Sequence, residues 1–172
     1  MPTPDDALLE RMRAGDHGAW AEFVDRHRRR MFAVAYRMTG NAGDAEDLVQ
    51  ESFLAFSKAL PSFRGEGAPA AYLRRTVVRA SLRIPKRKAV PVDPSGLEGP
   101  PIRNDSDPEL LAEVKSAVLT LPPQQRAVFV LRHYEGQGVS EIAETLELAE
   151  GTVKAHLHQA LTALRERLRS SL

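Results

Sequence analysis

Thr152, Lys154, Ala155 and His158 crowd the start of a helix that the spacing predicts from about Gly151, pointing outward while Val153 and Leu157 point in. A hydroxyl, an ammonium, a methyl and an imidazole at that position suit one chemistry, hydrogen bonding and apolar contact with base edges in a DNA groove. The segment 139–158 has the spacing of a helix-turn-helix. Small Ala143 lets two helices approach, a short turn follows, and Val153 and Leu157 pack back onto Ile142 and Leu146. An ordinary antiparallel helix pair has the same spacing, so the residues alone leave that alternative open. Bond-making chemistry has no comparable constellation. His156 and His158 are two apart and face different ways on a helix, while His17, His27 and His133 are isolated. With no cysteine, no phosphate-cradling glycine loop, no nucleophile elbow and no paired catalytic carboxylates, a non-catalytic protein without metal or cofactor is expected.

Composition sets limits on the partners. The 172 residues are 42% hydrophobic and 27% charged, within the range of globular proteins, and the apolar runs are far too short to span a bilayer. No signal-peptide pattern opens the chain, so a cytoplasmic location is expected. The net charge of +1 is spread evenly: residues 1–84 carry 13 basic against 11 acidic groups, residues 85–107 four of each, and residues 108–172 seven against eight. Neither half is a basic sponge, and any DNA binding is local and weak without a partner.

The elements that must position these groups are helical throughout, and the expected fold class is all-α. Trp20, Phe23, Val24, His27, Met31, Val34, Ala35 and Met38 form one stripe ending at Gly40. From Asp44, a second stripe runs through Ala45, Leu48, Val49, Ser52, Phe53, Phe56 and Leu60 to the stop at Pro61. A short helix near Ala7–Ala14 and another over Ala70–Ile84 complete a first bundle. Residues 85–108 hold six of the twelve prolines, a density no helix or central strand survives. They read as a stiff, extended tether between two small domains, 1–84 and 108–172, with 85–107 as the linker. Beyond it, Leu110 to Leu121 marks a helix, Pro122 or Pro123 opens the next, which ends around Gly136, and Ser140 reads as the N-cap of Glu141–Leu146. The last helix, from about Gly151 to Arg169, buries Val153, Leu157, Ala160, Leu161, Leu164 and Leu168.

Leu121–Lys154 resembles region 4 of the extracytoplasmic-function sigma factors, and Tyr36–Leu54, with its Asp-Ala-Glu-Asp-Leu-Val-Gln-Glu core, resembles their region 2. The two motifs stand in the family's order on either side of a linker. The resemblance implies a protein that binds core RNA polymerase, recognises the −10 and −35 elements of promoter DNA and assists melting, with an anti-sigma protein as a further partner. It assigns polymerase docking to the face Asp47, Gln50, Glu51 and Leu54, spaced i, i+3, i+4 and i+7. To −10 reading it assigns the loop Arg64–Pro69 with Tyr72, Arg74, Arg75 and Arg79 on the helix that follows, and Phe63 and Tyr72 are the aromatic candidates for stacking. To the −35 element it assigns Thr152, Lys154, Ala155, His156, His158 and Gln159.

Departures from the family pattern matter as much. The usual T-V-K/R-S-R-L-x-R-A-R stands here as T-V-K-A-H-L-H-Q-A-L, so three customary arginines are His156, Gln159 and Leu161. Lost phosphate contacts imply a shallow salt dependence, and glutamine's pairing with adenine implies an altered preference. The customary glycine of the turn is Glu147, which is strained if it must take positive φ. The last region 2 helix begins with Tyr72 where tryptophan is usual, and Arg79 stands for asparagine. Two rival readings are a dimeric helix-turn-helix regulator without polymerase docking, which leaves the Ala45–Leu54 motif unused, and a sigma-like interaction protein that no longer reads DNA.

Overall fold

Caps and prolines set the helix boundaries in the computed structural model, which describes residues 3–64, 68–87 and 107–170. Helix α1 (Pro4–Arg13) starts with proline in its first turn, and the Asp6 carboxylate accepts from the Thr3 backbone N–H. Asp16 caps α2 (His17–Thr39) by accepting from the N–H groups of Gly18 at 2.9 Å and Ala19 at 3.2 Å. Gly40 ends it at φ 63°, and Asn41 at once caps α3 (Ala42–Ala59), accepting from Asp44 N–H at 3.0 Å. Pro61 sits in a 3-10 turn, Leu60–Ser62, and Pro69 opens α4 (Pro69–Ser81). Helix α4 ends three residues earlier than expected, because Pro85 draws Ile84 out of the helical region and the chain unwinds through turns from Leu82.

In the second half, Asp107 caps α5 (Pro108–Leu119) and Pro123 opens α6 (Pro123–His133). Helix α7 (Val139–Leu146) corrects one sequence expectation. Gly138, not Ser140, is its N-cap, and the Glu141 carboxylate accepts the Gly138 N–H at 2.8 Å. Ser140 lies inside the first turn. Helix α8 (Glu150–Ser170) follows.

Helices α1–α4 enclose an aromatic core in which Phe23 and Phe56 stack at 5.0 Å and Phe53 meets Phe23 edge-on at 6.0 Å. Leu48, Leu73, Val77, Val34 and Met31 fill the rest. Helices α5–α8 gather Ala127, Val128, Val130, Leu131, Ile142, Val153 and Ala160. The inner face expected of α8 is narrower than drawn, with Val153, Ala160 and Leu164 buried but Leu157, Leu161 and Leu168 half-buried. The two halves also lie against each other, α2 on α5 and α6, and α4 on α7. Their apolar residues form one continuous cluster. Helical periodicity carried no sign of that contact.

Candidate nucleic-acid and polymerase interfaces

Helix α8 presents its first turns to solvent because Val153 anchors the opposite side under α7. Thr152, Lys154, Ala155, His158 and Gln159 are exposed. His156 is only half-buried, with its Nδ1 enclosed and without a partner, so it belongs to the edge of the candidate face rather than its centre. Gln159 is partly spoken for, since Gln125 Nε2 donates to its Oε1 at 3.2 Å. The turn before α8 takes the strained form the sequence flagged. Glu147 sits in the left-handed region at φ 56° and ψ 45°, its N–H donating to Ala143 O as the C-cap of α7.

Helix α3 buries Leu48, Val49, Ser52, Phe53 and Phe56 and turns Asp47, Gln50, Glu51 and Leu54 outward. Leu54 is 62% exposed, the most exposed large apolar side chain among the described residues, and acidic and amide groups flank it. An apolar centre with a polar rim is the layout of a partner surface.

The candidate strand-reading residues on α4 divide. Arg64 is exposed at the end of the loop, whose residues 65–67 lie outside the described structure. Tyr72 and Phe63 are half-buried, edge-on to Phe56 at 5.5 and 5.3 Å and to each other at 6.2 Å, and Tyr72 Oη donates to Ala55 O at 3.4 Å. Both rings are structural before they are available for stacking. Arg75 is half-buried. Arg74 and Arg79 point at the other half of the molecule. Arg74 Nη1 reaches Glu135 Oε2 at 3.4 Å, and Arg30 Nη2 reaches the same oxygen at 3.2 Å. Turned so that its oxygen faces Arg74, the Gln137 amide accepts from Nε at 3.2 Å and from Nη2 at 3.0 Å. Arg79 Nε donates to Thr145 O at 2.7 Å and Nη2 to Glu144 O at 3.1 Å, satisfying carbonyls at the C-terminal end of α7. Glu147 Oε1 stands 3.6 Å from Arg79 Nη2. Two of the residues singled out as departures from the family pattern, Arg79 and Glu147, thus meet in space.

Two more arginines join the halves, and sequence reasoning passed over both. Arg126 donates to Met38 O, to Leu119 O at 2.7 Å and to Leu121 O at 3.0 Å, stitching the carbonyl ends of α2 and α5. Arg37 lies over the Tyr134 ring, 4.4 Å from its centroid. Burial lowers the pKa of both guanidiniums and raises that of the Tyr134 phenol, yet an arginine starting so far above neutrality stays charged. Glu135 was missed as well. One local signal was present: an acid just past the C-terminus of α6 opposes the helix dipole, which marks it as a residue whose partners come from elsewhere.

With this geometry in view, likeness to known proteins is informative. The sigma-70 region 2 family model matches residues 23–89 and the sigma-70 region 4 model residues 111–164. The chain is 34% identical over 166 residues to the ECF RNA polymerase sigma factor SigE of Mycolicibacterium smegmatis, covering 90% of this chain and 64% of that protein, and so spans just under two thirds of that relative. It is 32% identical over 161 residues to the ECF RNA polymerase sigma factor SigM of Mycobacterium tuberculosis, covering 93% of this chain and 82% of that one. The solved structure of the sigma factor RpoE with the anti-sigma factor NepR from Bartonella quintana shares the fold at a TM-score of 0.62 and 22% identity, over 81% of this chain and 89% of that one. Both region motifs, their order along the chain and the helical architecture agree, and the chain belongs to the extracytoplasmic-function sigma factors of the sigma-70 family.

Proposed function

We propose that this protein binds core RNA polymerase, directs it to a set of promoters and assists melting of the DNA there. Residues 1–84 dock on polymerase through Asp47, Gln50, Glu51 and Leu54 and engage the −10 element through Arg64, Tyr72, Arg74, Arg75 and Arg79. Residues 108–172 read the −35 element through Thr152, Lys154, Ala155, His156, His158 and Gln159, and 85–107 connect the two. An anti-sigma protein completes the partner set. The observation that carries the reading is the exposure of Leu54 at the centre of the α3 face while the N-terminal turns of α8 stand in solvent. A regulator acting without polymerase has no use for the first of these surfaces.

No catalytic group is required for melting. Unstacked bases held by the protein are removed from the duplex equilibrium, and a few kcal/mol of such capture shifts it toward the open form. Phosphates of the displaced strand are neutralised by the α4 arginines, and the α8 face sets position on the duplex. Among the described residues no helix is long and apolar enough to cross a membrane, and a cytoplasmic location fits a partner that is itself cytoplasmic. The test is transcription in vitro with core polymerase, with and without this protein. Promoter-specific transcripts that depend on it are expected; their absence across many templates defeats the reading.

A further inference from the structure

We propose that Arg13, the last residue of α1, is a positioning residue for the strand-reading loop: it grips the backbone that carries Arg64 and presets the direction in which the chain enters the loop. This rests on the reading of Arg64–Pro69 as the −10 segment. Arg13 lies ahead of the stretch that the region 2 family matches, which begins at residue 23. Three groups hold its guanidinium. Nη1 donates to Glu10 Oε1 at 2.8 Å, Nε to Leu60 O at 3.3 Å and Nη2 to Phe63 O. The two carbonyls lie 47 and 50 residues further along the chain, one opening the 3-10 turn and the other directly before Arg64. Arg13 and Arg64 border one open cleft together with Leu9, Glu10 and Phe63.

The grip is anchored at both ends. Helix α1 is fixed by Leu8, Leu9 and Met12, all buried, and by Asp5, whose Oδ1 lies 2.9 Å from Arg26 Nη1 of α2. On the other side the Phe63 ring packs edge-on to Phe56 of α3 and Tyr72 of α4. The side chain of Phe63 is thus held by the core while its carbonyl is held by α1. Phe63 has left the turn, at φ −68° and ψ 118°, so its carbonyl stands outside any helical ladder and takes its donor from Arg13. A guanidinium meets both carbonyls at once because its donors are fixed in one plane. A lysine ammonium is a single point on a flexible stem and cannot span them. Arg64 itself is exposed, and what Arg13 sets is the point and direction from which it starts. A loop entrance held in its bound course before the strand arrives loses less freedom on binding, which raises affinity without any contact from Arg13 to the DNA.

The full-length protein assembled with core polymerase supplies the test. The probe is a fluorescein-labelled single strand carrying the −10 segment of a promoter that the parent holoenzyme transcribes, and a duplex of the −35 segment is the control. Arg13→Ala and Arg13→Lys should each weaken single-strand binding by about tenfold, with polymerase affinity, −35 duplex binding and the thermal midpoint near the parent's. Lysine keeps the charge, so binding retained in Arg13→Lys and lost in Arg13→Ala would show a direct phosphate contact and overturn the positioning role. Coupling is the second readout. In a protein already carrying Arg64→Ala, Arg13→Ala should cost about twofold at most, because its effect runs through the loop entrance; equal losses in both backgrounds overturn the proposal. A lowered thermal midpoint with equal losses on strand, duplex and polymerase marks a merely structural residue and overturns it as well. If both Arg13 variants lose their helical circular dichroism, Glu10→Gln decides, at a side chain 76% exposed: weaker strand binding supports the proposal and unchanged binding overturns it. Transcripts from the parent, with strand binding unaltered in every variant, refute the positioning role and leave the function standing. A parent that gives no promoter-specific transcripts defeats the functional reading, and the positioning role falls with it.

Discussion

Glu147 concentrates several opposing effects in one side chain. A residue with a Cβ in the left-handed region costs on the order of 1 kcal/mol relative to glycine. Against this stands the pair with Arg79, 3.6 Å apart, and since the two side chains are 37% and 77% exposed that pair contributes little. Glu147→Gly is therefore expected to stabilise the protein by about 1 kcal/mol in urea titration; an unchanged midpoint removes the strain. Gln159 tests the reading head. Restoring the family's arginine with Gln159→Arg breaks one exposed hydrogen bond to Gln125 and, on the proposed −35 reading, adds one phosphate contact. The slope of log affinity against log salt on promoter duplex should steepen by about 0.9. No change in slope places position 159 away from the DNA backbone.

At the scale of elements, α1 is held on α2 partly by a half-buried polar pair. His27 is packed against Phe23 at 4.7 Å between ring centroids, and its Nε2 lies 3.4 Å from Asp5 Oδ1. Burial pushes the His27 pKa below its ordinary 6.5, outweighing Asp5, which pulls it up. His133, against Phe129 at 4.6 Å, is likewise lowered by burial and then by Arg132. The unfolded chain thus takes up these protons more readily than the folded one, so stability is full above about pH 6.5 and declines as pH falls through that value. Urea midpoints measured from pH 7.5 to 5.5 should fall, and His27→Gln should flatten the decline; an equal slope in the variant excludes His27 as its source. The α2–α3 corner is a second element-scale constraint. A Cβ on Gly40 would take a left-handed φ of 63° and lie 2.8 Å from Leu119 Cδ1 of α5. Gly40→Ala is expected to destabilise by about 1 kcal/mol or more, read from the thermal midpoint, and a midpoint equal to the parent's would show that the corner relaxes freely.

For the molecule as a whole, the packing of α5 and α6 on α2 and of α7 on α4 decides which surfaces are covered and which stay open. Leu54 stands in solvent on a helix whose opposite side is core, so Leu54→Glu should leave the thermal midpoint unaltered while polymerase binding weakens by about 2 kcal/mol, near thirtyfold. Retained binding would move the docking surface elsewhere. Much of this plan was legible in the chain. The stripe from Trp20 to Met38, the Asp44–Leu60 run, the stop at Pro61 and the helix-turn-helix spacing each depend on neighbours within a few turns, and local periodicity encodes such neighbours. Exposure of Asp47, Gln50, Glu51, Leu54, Thr152, Lys154, Ala155 and His158 followed from the same periodicity, since a helix with one apolar stripe must turn the remainder outward. The strain at Glu147, at φ 56°, was signalled by the resemblance, which puts glycine at that turn, and not by any local pattern of the residues themselves. What only the tertiary structure decided is the set of partners taken by Arg30, Arg37, Arg74, Arg79, Arg126 and Glu135. A long guanidinium on a half-polar helix face looks the same in sequence whether it meets water, a phosphate or a carboxylate 61 residues away. The choice depends on how two separately patterned bundles dock, and that is set by the shape and charge of whole surfaces, a property that no stretch of a few turns contains.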